Sequence, residues 1–222
     1  MCTLKLATLA AAWGGVKAVS EASKKRRRPY RLGRRAERQA ETHRRIVEAA
    51  VALHGTIGPL ATTVSAIAER AGVERLTVYR HFPDQSALFA ACTDHYMTLH
   101  PPPDPATWRR LTDPGDRLAA ALGAMYRHFS ETASVTENIL RDSARSRRAV
   151  TGGMEEMASR IAGDLANAWN ASDDRARLVR ATIAHALSFY TWRSLVREQG
   201  LRNEEAVELM RRFVEATAAS AP

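Results

Sequence analysis

Two cysteines in 222 residues leave no disulfide framework to build. Cys2 sits near the start and Cys92 in a helical stretch, a usage that fits a reducing cytoplasm. No run approaches the roughly 18 consecutive apolar residues that a membrane helix requires, so no membrane partner is expected. The chain also lacks a Gly-x-Ser-x-Gly elbow, a phosphate-cradling glycine-rich loop and a His-Glu-x-x-His pair, which argues against the enzyme classes that depend on them. Cys92, His95 and His100 lie close together, but a metal site needs three or four converging ligands. Cys92 and His95 share a helix face while His100 falls out of register beside a proline run, so neither a metal nor another cofactor is expected. The pairs Glu155-Glu156, Asp173-Asp174 and Glu204-Glu205 sit at or near helix starts, where they complement the helix dipole without a catalytic role.

Negative charge is what the beginning of the chain lacks. The formal net charge is +9, and residues 1–40 account for all of it, with eleven Lys/Arg against Glu21 and Glu37. Residues 41–222 hold 22 of each sign. The basic run Lys24-Lys25-Arg26-Arg27-Arg28, continuing through Arg31, Arg34, Arg35 and Arg38, reads as a disordered arm over 1–40. Such an arm would neutralise DNA phosphates or enter the minor groove. A solvated tail without a role is the plainer reading of the same charges. Residues 1–19 offer a short apolar run from Leu6 to Trp13 without a clean small-x-small cleavage site. They read as a leader or an upstream start rather than a signal peptide.

The most informative stretch is 62–89, TTVSAIAERAGVERLTVYRHFPDQSALF. Val64, Ile67, Ala68 and Ala71 recur at i, i+3, i+4 and i+7, so one helical face is buried. Thr63 can cap this helix and leave its first turn open to a phosphate. Gly72 permits a sharp reversal. In the next helix Val78 and Phe82 point inward and leave Arg75, Leu76, Thr77, Tyr79 and Arg80 outside. A short helix held off its domain by a tight turn suits a DNA major groove, and the pattern is a helix-turn-helix over 63–82.

These residues resemble the tetracycline-repressor (TetR) family of bacterial transcription regulators. The matching positions are a first helix from Arg44 to Gly58, then Thr62-Thr63, Ile67-Ala68, Ala71-Gly72-Val73, Thr77-Val78-Tyr79, His81-Phe82 and Leu88-Phe89. The family usually carries a phosphate-contacting lysine at the start of the fourth helix, where this sequence has Gln85. On this reading Arg75, Leu76 and Thr77 face base edges, with arginine to guanine the expected direct contact. Thr63, Tyr79, Arg80 and His81 position the head on phosphates, and Arg26, Arg27, Arg28, Arg38 and Arg44 complete the DNA-binding set. The expected partner is a double-stranded operator. The competing class is an architectural DNA binder driven by the basic arm, with little specificity and no sensing.

The fold class is read as all-α, with a helix-turn-helix domain over 41–99 and a helical ligand-sensing and dimerisation domain over 100–222. The boundary is Pro101-Pro102-Pro103-Asp104-Pro105, which should stop the fourth helix near Leu99. Beyond it the periodicity predicts a helix through Leu118, Leu122, Met125 and Phe129, and a shorter one through Val135, Ile139 and Leu140. After Gly152-Gly153 comes another, then a long helix from Ser172-Asp173-Asp174 to about Gln199, and a last one from Asn203. The long helix is apolar around most of its circumference, which calls for burial on two sides and hence a homodimer. The resemblance implies the same, together with a pocket for a small-molecule effector. The expected wall comprises Trp108, Met125, Tyr126, Phe129, Met157, Trp169, His185, Phe189 and Trp192, since methionine and aromatic side chains adapt to apolar ligands. The same residues at helical spacing also read as plain core.

Overall fold

The computed structural model describes residues 15–145 and 152–219, with side chains placed for 33–144, 156–172 and 174–219. Among the described residues there are helices and turns and no strand. Helix α1 spans Gly15–Thr56, α2 Val64–Ala71, α3 Arg75–His81 and α4 Gln85–Leu99. After the proline run come the short α5 Ala106–Arg109, α6 Pro114–Arg145 and α7 Gly152–Ala166. Helix α8 is Asp173–Ala186, α9 Phe189–Trp192 and α10 Asn203–Ala219.

Two apolar cores result. The head core joins Ile46 and Ala50 of α1, Ile67 and Ala71 of α2, Val78 of α3, Phe82, and Leu88 and Cys92 of α4. The body core gathers Trp108, Leu122, Tyr126, Ile183, Trp192 and Val214 with their neighbours. The two are joined by a polar clasp. The last carbonyls of α1 lack intrahelical partners. Asn138 on α6 donates to the carbonyls of His54 (3.1 Å) and Gly55 (3.0 Å), and Arg141 donates to that of Ile57 (3.1 Å). Asp142, 5 % exposed, accepts the amide of Leu60 at 2.9 Å. Gly58 sits between them at φ +90°, where an added Cβ would come within 2.5 Å of the Asp142 carboxylate. The loop 57–61 is therefore fastened to α6.

Three expectations require correction. Residues 15–40, read as a disordered arm, belong to α1. The segment is rich in Ala, Arg, Lys and Glu, all good helix formers, and the helix runs on through Pro29. From Gly33 to Glu41 every described side chain is exposed. The leader expected over 1–19 lies outside the described residues up to position 14.

The second correction is that the two helices expected through Phe129 and Ile139 are one, α6. Ser130 and Thr132, which could have marked a break, return their hydroxyls to the carbonyls of Tyr126 (2.9 Å) and His128 (2.7 Å) and leave the helix intact. Third, the long helix expected from 174 to 199 breaks at Leu187-Ser188. Ser188 caps α9 by accepting the amide of Tyr190 at 3.2 Å. The carbonyls freed at the break accept hydrogen bonds from Tyr126 (to Ala186, 2.9 Å) and Thr191 (to His185, 2.6 Å). A π-helical segment over 193–198 then leads to Gly200, whose φ of +75° turns the chain into α10.

Candidate nucleic-acid interface

Helix α2 begins at Thr63, whose hydroxyl accepts the amide of Ala66 at 3.2 Å. It ends on Gly72 at φ +63°, ψ +43°, a conformation that a side chain disfavours. The amide of Val73 donates to Ala68 (2.9 Å) and that of Gly72 to Glu69 (3.1 Å), the paired bonds of a Schellman motif. Arg45 on α1 adds a second hold. Its guanidinium donates to the carbonyls of Ala71 and Gly72, so the turn is pinned from outside as well as from within. Sequence reasoning passed over Arg45 because its partners are backbone atoms about 26 residues away, which no side-chain pattern reveals.

The reversal sets α3 against the head through Val78 (1 % exposed), with Phe82 just beyond its end. The opposite face is open: Arg75, Leu76, Tyr79 and Arg80 are exposed, and Leu76 stands at 75 %. Thr77 is half-buried, and its hydroxyl accepts from Arg80 at 3.3 Å. His81 is also half-buried, with His43 at 5.9 Å. Burial first, then the neighbouring His43 and Arg80, hold its imidazole below the usual histidine range, which favours the neutral ring. That form offers one donor rather than a cation.

Arg44 forms ion pairs with Glu41 (2.7 Å) and Glu48 (2.6 Å) on its own helix, so any phosphate would have to compete for it. Arg38 is exposed on α1, upstream of the head. The side chains of Arg26, Arg27 and Arg28 lie outside those described. At α4, Asp84 caps the helix by accepting the amide of Ala87 at 2.8 Å. With Gln85 following, this helix start carries an acid and no cation.

The expected ligand wall divides. Trp108, Met125, Tyr126, Phe129, Phe189 and Trp192 are buried and pack on one another, with Phe129 edge-on to Phe189 at 5.4 Å. Met157 and Trp169 are half-buried against that core. His185, expected on the inner stripe, is exposed on α8 instead, because the inward positions there are Val179, Ile183 and Ala186. Among the described residues no group of three His, Cys, Asp or Glu side chains could hold a metal ion. No described helix is long and apolar enough to cross a membrane.

A helical head with an outward α3, joined to a helical body, defines an all-α helix-turn-helix architecture. Residues 46–92 match the family described as bacterial regulatory proteins, tetR family, so the head carries the domain of that family. A TetR-like transcriptional regulator from Rhodococcus sp. RHA1 is similar in fold, with a TM-score of 0.59 at 19% identity over 81% of this chain and 97% of that one. The fatty acid degradation regulator FadR from Bacillus halodurans gives 0.54 at 17% identity over 78% and 93%. A second Rhodococcus regulator gives 0.52 at 18% identity over 81% and 99%. No curated protein matches the sequence.

Proposed function

We propose that this protein is a ligand-responsive transcription regulator that reads a pseudo-palindromic operator as a homodimer and acts as a repressor. The observation that carries the reading is the outward face of α3, where Arg75, Leu76, Tyr79 and Arg80 stand in solvent on a helix fixed from behind by Val78. Arg75 would donate to a guanine edge, and Leu76 or Thr77 would meet a thymine methyl. Thr63, Tyr79, Arg80 and His81 would set the head on phosphates, with the Arg26–Arg28 run and Arg38 supplying the attraction that the head lacks. Residues 41–99 hold five arginines, no lysine and six acids, so the head by itself does not draw in a duplex.

Arg75→Ala is expected to relax preference at one base pair per half-site, costing about 1–3 kcal/mol there and little elsewhere. Binding titrations against a set of singly substituted operators check this; an equal loss on every sequence would make Arg75 a backbone contact. Deletion of residues 1–36 is expected to weaken binding to all duplexes. It should also flatten the dependence of log K on log salt by about 0.9 for each phosphate that the arm neutralises in the intact protein. A slope unchanged by the deletion would remove the arm from the interface.

The concentration of the whole net charge in residues 1–40 favours one rival, an architectural protein that coats or bends DNA. The two readings separate on specificity. The deletion leaves a regulator its operator preference and leaves an architectural protein almost no binding.

A further inference from the structure

Head and body do not meet in full contact. Where α1, α4 and α6 converge they leave a partly open cavity of 160 Å³. Val51, Phe89, Cys92, Val135 and Ile139 make its wall largely apolar. A guest of the right shape gains dispersion contacts with this apolar wall. An apolar cavity of about 150 Å³ accommodates a benzene-sized molecule.

Polar groups face the same space: His54 from α1, Tyr96 from α4, and His128 and Thr136 from α6, while Thr93 and Thr132 return their hydroxyls to the carbonyls of Phe89 (2.9 Å) and His128 (2.7 Å). Burial holds the His54 imidazole below the ordinary histidine range, against the opposing effect of Asp142. Burial does the same for His128, with Glu131 opposing and His100 assisting. In the neutral form that burial favours, each ring has one donor and one acceptor nitrogen. No hydrogen bond among the described residues uses a ring nitrogen of either. Such a wall suits a single uncharged hydroxyl and disfavours a carboxylate, which would lose its hydration without meeting a cation.

We propose that this interdomain cavity binds a compact, neutral, monocyclic aromatic molecule carrying one hydroxyl group, and that its occupancy is felt by the recognition helix. The path to that helix is short. Cys92 belongs both to the cavity wall and to the head core, and α4 follows α3 after only three residues, Phe82 to Asp84. On the other side His54, whose carbonyl is held by Asn138, joins the wall to the clasp between α1 and α6. A guest that shifts α4 against α6 moves the support of α3. The cavity gives a place and a ligand class to the sensing proposed above, and the binding step stands without reference to DNA.

The test uses the full chain free of DNA, with phenol and benzyl alcohol as probes followed by titration calorimetry. Saturable binding of one probe per chain is expected, weakened at least tenfold by Val135→Phe, which fills the cavity. Because that variant could fold poorly, a second readout uses the otherwise wild-type Cys2→Ser protein, in which Cys92 is the sole thiol. Saturating phenol should slow its modification by a small methanethiosulfonate at least tenfold. Absence of saturable binding, or binding that leaves Cys92 unprotected, would overturn the assignment whatever the protein does on DNA. Protection of Cys92 with no change in DNA affinity would keep the site and overturn its link to the recognition helix.

Discussion

Trp192→Ala is expected to remove about 3–5 kcal/mol of folding stability, the range for truncating a large buried aromatic side chain. The indole is fully buried, with Phe189 at 5.2 Å, Phe129 at 5.9 Å and the Arg197 guanidinium 5.6 Å from its ring. Its Nε1 donates to the Asn203 side chain at 3.1 Å. Asn203 in turn donates to the Ser130 hydroxyl at 3.0 Å, so the indole joins α9 and α10 to α6. Removing it leaves a cavity and an amide oxygen without its donor. Since whole domains are stable by only about 5–15 kcal/mol, this one change should consume much of the margin. Urea titration of the variant should give a lower midpoint at an unchanged slope. A midpoint close to wild type would mean that the body core closes without this residue.

The second large effect concerns the proposed dimer. Helices α8 and α10 pack against each other through Val179, Ile183, Ala206, Met210 and Val214. Their other sides leave Leu178 53%, Leu209 45% and Phe213 51% exposed. Large apolar side chains gathered on adjoining helices mark an association surface more than a solvated one. The double substitution Leu209→Glu with Phe213→Glu would place two charges where the proposed partner helices meet. Sedimentation is expected to show the mass falling from dimer to monomer. Operator affinity should fall by about 10²–10⁴-fold, the gain that linking two binding modules ordinarily provides. A dimer that persists through both substitutions would place the association surface elsewhere.

The head was readable because its signals are local. The i, i+3, i+4, i+7 spacing from Val64 to Ala71, the glycine at 72 and the inward pair Val78 and Phe82 fix α2, the turn and α3 within about twenty residues. The features that escaped depend on partners far along the chain. At the break at Leu187-Ser188 the carbonyl of Ala186 is taken by Tyr126, sixty residues earlier. The junction of α1 with α6 rests on Asn138, Arg141 and Asp142 meeting backbone atoms more than eighty residues away. His185 was misplaced for a related reason. The break ends α8 directly after it, and the buried positions of α8 run through Val179, Ile183 and Ala186. The expected ligand wall joined residues that do cluster, yet none of Met125, Tyr126, Phe129, Met157, Trp169, His185, Phe189 or Trp192 lines the cavity between head and body. Methionine and aromatic residues at helical spacing mark apolar faces, and close packing fills most of the space between such faces.

The central claim, that α3 reads sequence, is tested most directly by fluorescence anisotropy of the full-length protein near physiological salt. The two duplexes compared are the intergenic DNA upstream of its own gene and a scrambled version of the same composition. A regulator is expected to prefer the first by about 10³-fold or more. Near-equal binding to both, steep in salt, would contradict that account and give the interface to the basic residues of 1–40.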